Sequence, residues 1–206
     1  MKVQRPEQLA RSDAYAHFRT FAYPWFTLCS PVALDVTHVK AHGGLFGNVL
    51  WAVLAAVHEV PELRQRIRLE PDGTDLIVEH ASVDCTCTMA RDDERFAFGY
   101  VPWTPSRADF LATLPQHIDR ARATAGLDPT HQHRDDMLYL STMPWVDISS
   151  VQHAMPGDVL DTVPRILWGR AHDGRMTVCL TAHHALVDGR HAAAFFTALH
   201  DQLARV

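Results

Sequence analysis

The chain has 206 residues, a formal net charge of -5, and 47% hydrophobic against 21% charged residues. That balance fits one compact domain over residues 1–206 with a core large enough to need neither disulfides nor a structural metal. The acidic balance and the lack of Lys/Arg runs argue against nucleic acid or an anionic membrane as main partner, and with no run of about 18 apolar residues a soluble, cytoplasmic protein is expected.

In chain order, residues 7–21 read as helix or turn and lead into 26–29, and 32–36 alternate like a strand. A helix opens at Thr37, carries Leu45, Val49, Leu50, Val53, Leu54 and Val57 on one stripe, and stops at Pro61. Residues 67–70 and 76–80 form a hairpin around Pro71-Asp72-Gly73. Residues 85–89 and 96–100 are two more strands around the polar turn 91–94. A second long helix covers 106–125 with Pro115 inside it, residues 128–136 are a loop, and 137–143 are strand-like. Strands at 166–169 and 176–182 meet through His172-Asp173-Gly174, and 190–203 are helical. Strands mixed with three helices predict an α+β fold, a two-layer mixed sheet covered by helices.

Cys29, Cys85, Cys87 and Cys179 lack zinc-site spacing and read as small buried hydrophobes, reduced in a cytosolic protein. The 14 histidines are mostly scattered, as surface residues are, with His131-Gln132-His133 in a polar loop. The segment 178–191 is different. A buried strand ends in His183-His184, and Asp188-Gly189 follow before a helix. A partly desolvated histidine there can stay neutral near pH 7 and accept a proton, with Asp188 ordering the loop and Gly189 easing the turn. On these residues alone, a general base, a metal pair and two satisfied core histidines all remain open.

His183-His184-Ala185-Leu186-Val187-Asp188-Gly189 resembles the HHxxxDG signature of coenzyme A-dependent acyltransferases of the chloramphenicol acetyltransferase family. Further blocks resemble that family in order and spacing: His17-Phe18, Phe26-Thr27-Leu28 leading to 34–37, Pro61-Glu62-Leu63-Arg64, and Ser141-Thr142-Met143-Pro144-Trp145-Val146. The resemblance implies a homotrimer with active sites between subunits and acetyl-CoA as co-substrate, with no metal. It makes His184 the general base, Ser141 the oxyanion donor and Asp188 a structural anchor for the catalytic loop. His183 is then structural and His191 a packing or surface residue.

Where the family has an arginine two or three residues before the HF pair, this chain has Ala14 and Tyr15, so either Arg11 or Arg19 pairs with Asp188 or the ion pair is absent. Phe21, Trp25, Phe96, Phe98 and Leu167 fall near the family's acceptor-site positions, Trp25 and Phe98 being bulkier than their counterparts. The resemblance implies transfer of acetyl to a hydroxyl of chloramphenicol, and hence antibiotic resistance, while the bulkier Trp25 and Phe98 and the missing arginine point toward a different acceptor. The alternatives are another small alcohol of secondary metabolism, a non-catalytic binding trimer, or a zinc-binding histidine cluster. For the trimer, 137–143 is expected to be able to pair across an interface.

Overall fold

The computed structural model describes residues 1–91, 95–124, 131, 134–158 and 160–206. The predicted turn 91–94 and loop 128–136, with Gln132 and His133, lie largely outside the described residues. Nine strands and five α-helices stand among those described: β1 Lys2–Gln4, α1 Ser12–Arg19, β2 Trp25–Ala33, α2 Val36–Ala41, α3 Leu45–Glu59, β3 Gln65–Leu69, β4 Asp75–Glu79, β5 Asp84–Ala90, β6 Phe96–Val101, α4 Arg107–Ala123, β7 Met137–Thr142, β8 Arg165–Trp168, β9 Arg175–His183 and α5 Gly189–Ala204.

The expected α+β class holds, with three differences of physical origin. Val36 belongs to α2 rather than to a strand, because the Asp35 carboxylate accepts from the His38 N–H and caps a helix there. The helix expected from Thr37 to Pro61 is two helices. Gly43 and Gly44, at φ 115° and 83°, adopt the left-handed backbone that only glycine takes without cost, and they break it. A third strand, β1, joins the hairpin to make the small sheet β1-β4-β3.

The main sheet has six strands in the order β2-β9-β8-β7-β5-β6, parallel where β7 meets β5 and β8 and antiparallel elsewhere. Helix α3 is apolar nearly all round and lies between α5 and α4, which pack on β2 and on β6 and β5 respectively. Gly47 lets α3 and α4 approach closely, since a Cβ there would lie 2.7 Å from the Leu111 side chain. One sheet face therefore carries the core: Cys85, Cys87, Leu138, Leu140, Ile166, Val178 and Leu180 are fully buried or nearly so. Strand β7 is central, with both edges bonded. It cannot pair across an interface by its backbone, contrary to expectation. The open edges of the main sheet are β2 and β6.

The cysteine expectation fails for one pair. Cys29 and Cys179 are directly opposite on β2 and β9, with Cα atoms 4.0 Å apart, and form a disulfide. Cys85 and Cys87 are free and buried, and burial pushes the Cys87 thiol up to about 12.

Candidate active site

His184 leaves the end of β9 with its backbone N–H donated to the Pro24 carbonyl (2.7 Å). Its ring is clamped between Phe18 of α1, stacked at 3.7 Å and 6°, and Phe26 of β2, tilted at 4.6 Å. Nδ1 is buried and has no hydrogen-bond partner among the described residues. The exposed part of this half-buried ring is then the opposite edge, which carries Nε2. A histidine fixed this way can accept a proton on Nε2 from a group brought to that edge.

His183 points to the other face. It is 1% exposed, packs edge-on to Trp25 (5.8 Å), and its Nδ1 accepts from the Ala185 N–H. Alternation along β9 separates the two neighbours.

The loop behind His184 is held from two sides. Asp188 caps α5: one carboxylate oxygen accepts from the N–H groups of Arg190 (2.8 Å) and His191 (3.4 Å). The other oxygen lies 3.1 Å from Arg11 Nε. The rest of the Arg11 guanidinium donates to the carbonyls of Ala185 (3.1 Å) and His184 (3.4 Å). Burial raises the Asp188 carboxyl, but the Arg190 amide, His191 and Arg11 outweigh it and hold it below its ordinary value.

Arg11 therefore takes the open arginine role, six residues before His17. Arg19 instead binds Asp75 (2.9 Å), beside the Tyr15 hydroxyl. His191 returns the cap by accepting the Asp188 N–H on Nδ1 (3.1 Å), which makes it part of the capping box.

Ser141 stands on the sheet face away from the helices. Register puts it in one row: Phe98 and Thr88 are paired, Thr88 lies beside Ser141, and Ser141, Leu167 and Cys179 follow in line. Its hydroxyl is 2.8 Å from the Thr88 hydroxyl. His153 and Asp161 lie over the β2–β9 end of this face. There His153 Nδ1 lies 2.8 Å from the Thr181 hydroxyl, and the Asp161 carbonyl accepts from Trp25 Nε1. The β5–β6 end stays open, with Phe96 49% and Phe98 38% exposed and in edge contact at 5.6 Å.

Within one chain the predicted site residues fall into two groups. Phe21 packs edge-on to Phe18 (5.3 Å) and stands with His184. Phe96, Phe98 and Leu167 stand with Ser141, Leu167 being buried. Trp25 is buried at the other end of the open face. Because Ser141 is level with Cys179, five residues before His184 and one strand across from β9's neighbour, the two are about 16 Å apart along the strands and about 10 Å across them. They also face opposite sides of the sheet. One chain alone cannot place both on one reacting group.

Sequence reasoning missed the Phe18–Phe26 clamp as a clamp, the Thr88–Ser141 contact and the Cys29–Cys179 pair. Each depends on register between distant segments, for which local spacing carries no signal. Among the described residues, no three His, Cys, Asp or Glu side chains converge as a metal site.

Comparison with known proteins adds the family. The profile described as "Chloramphenicol acetyltransferase" matches residues 6–200. A chloramphenicol acetyltransferase of Bacillus pumilus is 22% identical over 95% of this chain and 90% of that protein. One of Campylobacter coli is also 22% identical, over 94% and 93%. A solved chloramphenicol acetyltransferase superposes with a TM-score of 0.85 at 23% identity, covering 98% of this chain and 99% of its own.

Proposed function

The chain belongs to the chloramphenicol acetyltransferase family, and from that premise we propose that it moves the acetyl group of acetyl-CoA to a hydroxyl of chloramphenicol. The chain is an acetyl-CoA-dependent acyltransferase of this family. The observation that supports the mechanism most is the His184 ring, clamped by two phenylalanines with Nε2 on its open edge.

In this reading, Nε2 of His184 takes the proton of the acceptor hydroxyl as its oxygen attacks the thioester carbonyl. The tetrahedral oxyanion accepts a hydrogen bond from the Ser141 hydroxyl. Collapse breaks the C–S bond, and His184 returns the proton to the departing thiolate, leaving free coenzyme A and the O-acetyl ester. No acyl-enzyme forms. Base catalysis of this kind supplies about 10²–10⁴-fold.

Since Ser141 and His184 are too far apart within a chain, the site is read as shared between neighbours of a homotrimer. His184 and Phe21 of one subunit would face the partner's open sheet face, where Phe96, Phe98 and Ser141 line an aromatic acceptor cavity over Leu167. Trp25 would close the far end of that face. Asp188 acts through the loop and does not touch substrate. An enzyme that draws on acetyl-CoA is placed in the cytoplasm, where that co-substrate is made. A second reading keeps the chemistry with another small alcohol, favoured by the 22% identity to both named relatives.

The test is thiol release from acetyl-CoA with chloramphenicol as acceptor, for wild type and His184→Ala. Release by wild type that the substitution abolishes is expected. A folded wild type that releases no thiol with chloramphenicol, yet does so with another alcohol, would establish the second reading instead.

A further inference from the structure

We propose that Thr88 is a positioning residue for the reaction: its hydroxyl donates to Ser141 Oγ and so aims the Ser141 proton at the oxyanion. The proposal rests on the reading of Ser141 given above.

A serine hydroxyl has one proton and two acceptor lone pairs, and its proton swings freely about the Cβ–Oγ bond. On an open face it would spend most of its time bonded to water. Here Ser141 Oγ lies 2.8 Å from Thr88 Oγ1, and either oxygen can be the donor while the site is empty. Once an oxyanion forms, the choice is fixed. Ser141 must give its proton to the negative oxygen, and its remaining capacity toward Thr88 is as an acceptor. Thr88 must then be the donor.

The geometry suits that role. Thr88 is β-branched and stands in β5, a strand bonded on both sides, so its χ1 is restricted and its oxygen is held in place. Phe98, its register partner on β6, flanks it on the side away from Ser141. Among the described residues the Thr88 hydroxyl meets Ser141 Oγ and no competing acceptor. A donor that itself accepts a hydrogen bond is polarised and donates more strongly, by roughly 10–30% per bond. The effect appears only as charge develops, so it raises kcat, and its loss lowers kcat while leaving substrate binding nearly untouched.

Steady-state thiol release from acetyl-CoA, with chloramphenicol as acceptor, would be measured for Thr88→Val, Thr88→Ser, Thr88→Ala, Ser141→Ala and the Ser141→Ala/Thr88→Val double variant. Thr88→Val keeps the shape and removes the hydroxyl. Its kcat is expected to fall about 3- to 10-fold with KM unchanged, the worth of one net hydrogen bond. Thr88→Ser should recover kcat to within about twofold, and the double variant should be no slower than Ser141→Ala alone. Thr88→Ala stands in if the valine does not fold.

A Ser141→Ala enzyme at full rate removes the premise, and the proposal with it. A slow Ser141→Ala enzyme beside an unaffected Thr88→Val overturns the Thr88 role alone. So does a Thr88→Ser enzyme as slow as Thr88→Val, or a full additional loss in the double variant.

Discussion

Replacing Arg11 with Met would isolate the contribution of the loop that carries His184, the proposed base. The guanidinium donates to the Ala185 and His184 carbonyls and lies 3.1 Å from the Asp188 carboxylate, with side-chain exposures of 18% for Arg11 and 31% for Asp188. Asp188 keeps its two α5 backbone donors, so the carboxylate is not stranded. What is lost is the ion pair with Asp188 and the charged donor to two carbonyls. Hydrogen bonds to charged groups contribute about 1.5–3 kcal/mol, and solvent reaching Asp188 trims that, so about 2 kcal/mol of stability is expected. For a domain of this size that is about 4–8 °C in Tm.

The catalytic loss should be larger than the stability loss suggests. The two carbonyls belong to His184, the proposed base, and its neighbour Ala185, and a displacement near 1 Å at a reacting group costs on the order of 10²-fold. Arg11→Met should therefore lower kcat about 10- to 100-fold with little change in KM, and Arg11→Lys should fall between. Arg19→Met, which disturbs the Asp75 and Tyr15 contacts and not this loop, should keep wild-type kcat. Kinetics of the three variants, with thermal melts to confirm folding, decide it. An Arg11→Met enzyme with wild-type kcat would refute the reasoning, as would one in which Arg19→Met does the damage.

Arg66 is fully buried and donates to the carbonyls of Leu63, Gln65, Asp135 and Met137; burial lowers its guanidinium to about 10, still charged at neutral pH. Arg66→Leu strands those carbonyls and should cost about 3–5 kcal/mol in urea unfolding; a loss under about 1 would show that water or relaxation satisfies them. Unfolded without reductant, the protein should titrate two thiols, Cys85 and Cys87, and four after reduction, whereas four at the outset would contradict the Cys29–Cys179 bond. Burial raises the Asp135 carboxyl, but His80 and the bidentate Arg68 hold it well below the usual carboxylate range. Its stabilisation is present above the unfolded value of about 4 and is lost as pH falls toward the folded one. Asp135→Asn should therefore flatten the acid limb of stability against pH, and an unchanged limb would contradict the linkage.

Much of this was legible in the sequence wherever the signal is local. Strand alternation, the apolar stripe of α3, Pro61 as its stop and the Asp72-Gly73 turn all report on neighbours a few residues away. The split of the first long helix into α2 and α3 was visible as Gly43-Gly44, yet paired glycines do not reveal a positive φ until the chain must turn. The HHxxxDG segment pointed to His184 and Asp188 by resemblance. The arginine that Asp188 meets could not be chosen between Arg11 and Arg19, because both lie near α1 and only its rotation decides which one faces the loop. Cys29 and Cys179 are 150 residues apart, and Thr88 and Ser141 are 53 apart; their meeting depends on strand order and register, which composition and periodicity leave open.

The shared site is the central claim, and complementation tests it most directly. His184→Ala and Ser141→Ala subunits, each expected to be nearly inactive alone, would be unfolded together, reassembled at equal amounts and assayed for thiol release. If each site takes His184 from one subunit and Ser141 from its neighbour, random assembly makes about a quarter of the sites native, and activity should return to about a quarter of wild type. Mixed assemblies that stay as inactive as the separate variants would contradict a site built across the interface.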